Sequence, residues 1–97
     1  MIRSAIGIMV HNEVHNLPQL LAVVQAENTD GIQIDPIIVV SSGSTDGSDD
    51  AVRRAAASDP RIVLLTEPAR AGKARAINRF LHALDPDIDR VVLLSGD

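Results

Sequence analysis

Four consecutive β-branched residues directly after Pro36, Ile37-Ile38-Val39-Val40, restrict the folds open to this chain more than any other stretch. A strand with one wet face alternates apolar and polar residues, and this run does not, so both of its faces are buried. Burial on both faces is the condition of a central strand in a parallel sheet with helices on either side. The rest of the chain is read for the strands and helices such a sheet needs.

Ala5 to Val10 is a second short, continuous apolar run. Asn16 to Gln25 follows with Leu17, Leu20, Leu21 and Val24 spaced for one helical face; Pro18 sits near its start and Asn16 is the expected cap. Asn28 to Gly31 is a polar turn. After the strand Ile37 to Val40 and a Ser/Gly/Asp loop, Asp49 to Ala57 reads as a helix with Ala51, Val52 and Ala55 inward and Arg53 and Arg54 outward. Arg61 to Thr66 is the third strand. Gly72 to Leu84 is the third helix, with Ala76, Ile77, Phe80, Leu81 and Leu84 on one stripe, and Arg90 to Leu94 is the fourth strand. The pattern is βαβαβαβ, a three-layer Rossmann-like α/β sheet with right-handed crossovers. Its 97 residues fit a single domain, 1–97.

In such a sheet, ligands bind outside the carboxyl ends of the strands. Four loops fall there: His11-Asn12-Glu13, Ser41 to Ser48, Ala71 to Asn78, and Ser95-Gly96-Asp97. Asp97, where a buried strand opens to solvent, is placed to hold a divalent cation against a phosphorylated ligand. Lys73 near a helix start combines an ammonium with backbone N–H groups, a combination that holds anions. If the fourth strand lies beside the first, Asp97 lands next to His11 and Asn12.

Composition removes several alternatives. A formal charge of -4 and a pI near 5.2 argue against nonspecific nucleic-acid binding, although Arg70, Lys73, Arg75 and Arg79 form a local basic cluster. Phe80 is the only Phe, Tyr or Trp, so aromatic stacking is not the main grip on a sugar or a base. There are no cysteines, which excludes disulfides and thiolate metal sites. Met1 to Val10 carries no cleavage signature and is too short to span a bilayer, so a soluble, cytoplasmic chain is expected. His11 and His15 are not a zinc pair, because His11 falls before the helix and the His-Glu-x-x-His order is absent. Lys73 does not belong to a Walker A loop, which needs an earlier glycine and a following Ser or Thr. The first strand also lacks the Gly-x-Gly-x-x-Gly turn of a dinucleotide-binding unit.

Taken in order, I-G-I-M-V-H-N-E-V-H-N-L from Ile6, I-I-V-V-S-S-G-S-T-D-G-S from Ile37, G-K-A-R-A-I-N from Gly72 and V-V-L-L-S-G-D from Val91 resemble the family 2 glycosyltransferases. All four blocks occur in the family's order and spacing, across essentially the whole chain. The resemblance implies the N-terminal, nucleotide-sugar-binding part of a GT-A fold, with strand order 3-2-1-4 and the acceptor-binding half absent from these residues.

It also implies roles for particular residues. Val10, His11, Asn12 and Glu13 match the loop that meets the base, His11 standing where Tyr is common. Ser41 and Ser42 replace two Asp residues, the first of which often bonds the base; a hydroxyl accepts the same hydrogen bond without the charge. Asp46 matches the remaining acid of that loop, while Ser44-Thr45-Asp46-Gly47 reads structurally as a turn plus cap. Gly72 and Lys73 approach the nucleotide, and Asn78 braces the third helix against the sheet. Ser95 takes the place of the first acid of an Asp-x-Asp motif and faces the ribose, and Asp97 takes the metal-binding place, for Mg²⁺ or Mn²⁺.

The activity so implied is transfer of a sugar from a UDP- or GDP-sugar to an acceptor hydroxyl, inverting and metal-assisted. The general base is expected beyond Asp97, so these residues contain no catalytic residue of that kind and are expected to bind the donor without turnover. The acceptor is not indicated. The fourth strand is expected to present an open edge through which copies could self-associate. The alternative is a noncatalytic nucleotide-binding or scaffold domain, which the serines at 41, 42 and 95 favour.

Overall fold

The computed structural model describes residues 1–27, 31–69 and 72–95. Four strands, β1 (Ile2–Val10), β2 (Ile32–Ser42), β3 (Ile62–Glu67) and β4 (Arg90–Ser95), form one parallel sheet in the order β3-β2-β1-β4. Three helices, α1 (Leu17–Ala26), α2 (Ser48–Ser58) and α3 (Lys73–His82), connect them. This is the α/β architecture and strand order expected from the sequence. No helix among the described residues is long and apolar enough to cross a membrane.

The helices divide between the two faces. Ile6, Ile8 and Val10 of β1 and Ile37 and Val39 of β2 pack with Leu17, Leu21 and Val24 of α1 and Val52 of α2. The alternate residues, Ala5, Met9, Ile38 and Val40, pack on the other face with Ala76 and Phe80 of α3. Alternation of side chains along each strand therefore makes two cores from one sheet. The α3 core is narrow, and Phe80, fully buried, fills it by lying directly over Gly7. A Cβ at position 7 would stand 2.9 Å from the Phe80 ring. The sole aromatic side chain thus serves packing.

Both central strands extend further than the apolar runs suggest. β1 begins at Ile2 and β2 at Ile32, so Pro36 lies within β2. It is accommodated because the pairing shifts there: Ser4 faces Ile34 while Ile6 faces Ile37, a bulge with one extra residue on β2. Other boundaries differ in smaller ways. β3 runs on to Glu67, β4 to Ser95, and α3 ends at His82, two residues before Leu84. Leu81 is 44% exposed, so the apolar stripe of α3 is narrower than expected, with Ile77 and Leu84 flanking the buried pair. Asn16 does not cap α1 through its side chain; its amide donates to Glu13 Oε2 at 3.2 Å.

At the opposite end of the sheet from the loops of interest, Arg61 ties the connection between α2 and β3 to α1 and β2. Its guanidinium donates to both carboxylate oxygens of Asp59, at 3.0 and 2.8 Å, and to the carbonyls of Ile34 and Gln25. The Gln25 amide completes the cluster on Asp59 at 3.2 Å. Hydrogen bonding from Arg61, aided by Gln25 and by the guanidinium charge, holds the Asp59 carboxyl far below the usual carboxylate range despite its partial burial.

Two outcomes are expected. Phe80→Ala should destabilise the fold by about 3–5 kcal/mol, and Gly7→Ala should be destabilising in the parent chain but milder in the Phe80→Ala background. Denaturant unfolding of the three variants tests this, and additive losses would show that the two residues do not share a contact. Because the Asp59 pKa is depressed by folding, its contribution is complete above the unfolded value and fades as pH falls through about 4 and below. The stability difference between the parent and Asp59→Asn, about 1.5–3 kcal/mol at neutral pH, should therefore shrink on acidification, and a difference that grew toward acid would contradict the assignment.

Candidate functional site

The carboxyl ends of β1, β2 and β4 converge with the start of α3 around a cleft of about 90 Å³. Met9, Val10, His11, Glu13, Ser42, Gly72, Lys73, Ala76 and Ser95 line it. The volume is well below the ~300–1,000 Å³ usual for a small-molecule pocket, so these walls alone could enclose only part of a ligand of that class. A larger cavity of about 260 Å³ opens on the α1 side of the sheet between Val23, Ile34 and Val92. Its walls are mainly aliphatic and it lies away from the carboxyl-end loops, so the smaller cleft is the candidate site.

Of the positions assigned to the nucleotide, Val10, His11, Glu13, Ser42, Gly72, Lys73 and Ser95 reach this cleft, and Asn12, Ser41 and Asp46 do not line it. Strand parity separates the serines. Ser41 pairs with Val10 and shares the α1 and α2 face, whereas Ser42 pairs with Glu67 on the face covered by α3. Ser41 Oγ donates to Ser44 Oγ at 2.8 Å. Ser42 Oγ donates to Glu67 Oε1 at 3.1 Å.

The residues outside the cleft bind its first two loops together. Three consecutive N–H groups of the first loop donate to side-chain oxygens of the second: Asn12 to Ser44 Oγ at 3.1 Å, Glu13 to Ser48 Oγ at 2.9 Å and Val14 to Asp46 Oδ2 at 3.1 Å. Thr45 N–H returns a bond to Asn12 Oδ1 at 2.7 Å. Asn12 takes a positive φ of 52° in this arrangement, a conformation Asn adopts more readily than most residues. Asp46 also accepts from the Ser48 hydroxyl at 2.6 Å and the Ser48 N–H at 3.0 Å, at the start of α2. The Ser48 hydroxyl is the chief cause that keeps the Asp46 carboxyl below its ordinary range, the Val14 and Ser48 N–H groups adding to it. The turn-and-cap reading of Ser44 to Gly47 is what the contacts of Asp46 display.

His11 is oriented by a bond from Nδ1 to the Ser42 carbonyl, 2.6 Å long. A carbonyl only accepts, so Nδ1 carries a proton and Nε2 is the ring nitrogen left toward the Asn12 amide, 3.4 Å away. Lys73, exposed at the first position of α3, brings the positive charge to the cleft, and Gly72 before it has a φ of 98°, which a side chain would strain. Arg75 pairs with Glu67 at 3.5 Å. Arg79 is exposed, and Arg70 lies outside the described residues. Asn78 is exposed, so it does not brace α3 against the sheet as the resemblance implied.

Asp97, the expected metal ligand, also lies outside the described residues. Among the described residues, no three His, Asp or Glu side chains gather to hold a metal. By residue type, the carboxylate of Asp97 is a hard oxygen ligand of the kind Mg²⁺ and Mn²⁺ accept, whereas the Ser95 hydroxyl is a poor one.

Glu67 is the functional candidate that the sequence reading missed. It is 7% exposed at the end of β3, in register with Ser42. A glutamate ending an apolar strand just before Pro68 was the available signal, but its neighbour is set by strand register, which the sequence does not display.

The family model for Glycosyl transferase family 2 matches residues 5–97. Over 60 residues the chain is 36% identical to the succinoglycan biosynthesis protein ExoA of Rhizobium meliloti (strain 1021), a match covering 62% of this chain and 18% of that protein. Among solved structures it is similar to the mannosyltransferase PcManGT from Pyrobaculum calidifontis in complex with GDP-Man and Mn2+, with a TM-score of 0.67 and 31% identity, over 84% of this chain and 24% of the other. The matched regions therefore span less than a quarter of either relative's length.

Proposed function

The chain belongs to glycosyl transferase family 2, and from that membership we propose that its cleft is the nucleotide-sugar donor site of an inverting glycosyltransferase. The observation that carries this reading is the convergence of His11, Ser42, Lys73 and Ser95, drawn from four separate sequence blocks, on one cleft at the carboxyl ends of the strands. The mannosyltransferase relative, solved with GDP-Man and Mn2+, supports the same class of donor.

In the reaction, the bond between the sugar's anomeric carbon and the diphosphate oxygen breaks, a bond from that carbon to the acceptor oxygen forms, and the acceptor proton passes to a general base. Val10, His11, Asn12 and Glu13 form the loop against the base, with Asn12 acting through the shape of the loop. Ser42 offers a hydroxyl to the base, and Ser41 and Asp46 hold the loop that carries it. Lys73, with the N–H groups opening α3, attracts the diphosphate. Ser95 meets the ribose, and Asp97 would hold Mg²⁺ or Mn²⁺. When bound, that cation neutralises charge developing on the leaving diphosphate. We place the general base and the acceptor contacts outside these 97 residues, which on this reading bind the donor without turning it over. Cytoplasmic placement belongs to the same proposal.

Calorimetric titration with UDP and GDP, with and without Mn²⁺, tests the site. Metal-dependent binding of at least one nucleotide is expected, with a loss of tenfold or more in Asp97→Ala, since a direct charged ligand to the cation is removed. Failure of a folded chain to bind either nucleotide would refute the donor site. Hydroxyls in place of acids favour a second reading, a nucleotide-binding domain without transfer. Sugar transfer by a longer protein carrying these residues would exclude it.

Self-association is proposed through β4, the edge strand, where Val91 and Leu93 are 39% and 44% exposed. Light scattering over a concentration series should show a mass rising above the monomer, and a constant monomer mass would dismiss the idea.

A further inference from the structure

We propose that Glu67 is a positioning residue for nucleobase recognition, fixing Ser42 Oγ as a hydrogen-bond acceptor for a ring N–H of the base. The inference rests on the donor-site reading and assigns to that site a residue outside the four recognised blocks.

The geometry requires little else. Glu67 is buried at the end of β3, and Ser42, in register beside it on the α3 face, lines the cleft. One carboxylate oxygen accepts the Ser42 hydroxyl proton at 3.1 Å and the other faces Arg75 Nε at 3.5 Å. A carboxylate only accepts, so the hydroxyl must spend its proton on Glu67 and has only lone pairs left for a ligand. Left alone, a serine hydroxyl would rotate to donate or accept as the ligand asked. Here it is committed. The charge missing from Ser41 and Ser42 is therefore supplied from the neighbouring strand, where it polarises the hydroxyl through one bond. Arg75, three residues after Gly72, links the same carboxylate to the first turn of α3, so the base end and the phosphate end of the cleft share one anchor.

The ring N–H is N3–H in uracil and N1–H in guanine, and both offer the donor that this oxygen would receive. Their N-methylated forms, 3-methyl-UDP and 1-methyl-GDP, lack it. Titration of the parent chain with each nucleotide and its methylated partner, in the presence of Mn²⁺, should give about a tenfold or greater preference for the parent nucleotide, and shows which base is bound. Glu67→Gln presents an amide that both donates and accepts, which frees the Ser42 proton; the preference should fall toward unity while the unfolding midpoint stays close to that of the parent. In the same background, Ser42→Asp places an acceptor-only group directly on the cleft and should restore the preference.

A Glu67→Gln chain that kept the parent preference would overturn the proposal, as would a parent chain that bound nucleotide without distinguishing the methylated forms. If Glu67→Gln lost stability, the double variant would decide: a purely structural Glu67 would leave its preference lost. Absence of any nucleotide binding by the folded parent would instead refute the donor site itself, and this inference with it.

Discussion

Everything else in this fold depends on the burial of β1 and β2 on both faces. Ile8, Ile37, Val39 and Val40 are wholly excluded from solvent. That constraint demands helices above and below, which α1 and α2 supply on one side and α3 on the other. Once the central pair is fixed, the loops leaving its carboxyl ends emerge side by side. The site is thus a by-product of core packing, and its residues need only be polar and suitably spaced.

Proximity alone would leave those loops loose, because irregular backbone carries N–H groups that require partners. The first loop meets this need with side chains of the second, so Ser44, Asp46 and Ser48 do for it what a neighbouring strand does for β1. Asp46, the acid of the second loop, is thereby a structural tie. Its polar neighbours then hold the backbone on which His11 and Ser42 are carried. Preorganisation of this kind lowers the ordering that a ligand must impose on binding.

The alternation of strands and helices was legible because the apolar runs are short, continuous and separated by polar turns, and strand order followed from the ordered sequence blocks. The ends of β1 and β2 were not legible. Ile2 to Ser4 and Ile32 to Pro36 are too mixed in polarity to declare themselves, and only pairing with each other makes them strands. His11, Glu13, Ser42, Gly72, Lys73 and Ser95, which line the cleft, could be assigned to one end of the sheet because each sits in or beside a loop whose position depends on topology. That Ser41 stands outside the cleft while Ser42 lines it was not legible, because adjacent residues on a strand face opposite ways and a string of letters does not say which way is which; the hydrogen bonds that take up Asp46 depend on how two loops meet. Glu67 escaped for a related reason, as its importance lies wholly in what stands beside it.

The bulge near Pro36 now takes on a meaning beyond its local geometry. Ile34 and Ile37 are an odd number of residues apart, yet both serve the α1 and α2 face, because the extra residue resets which side each later position occupies. Remove one residue there while retaining the pairing of the outer segment of β2, and Ser41 and Ser42 would exchange places, with the hydroxyl now beside Ser44 turned toward Glu67. Which of the two serines turns toward Glu67 is therefore set by a count, odd or even, kept at the far end of the strand.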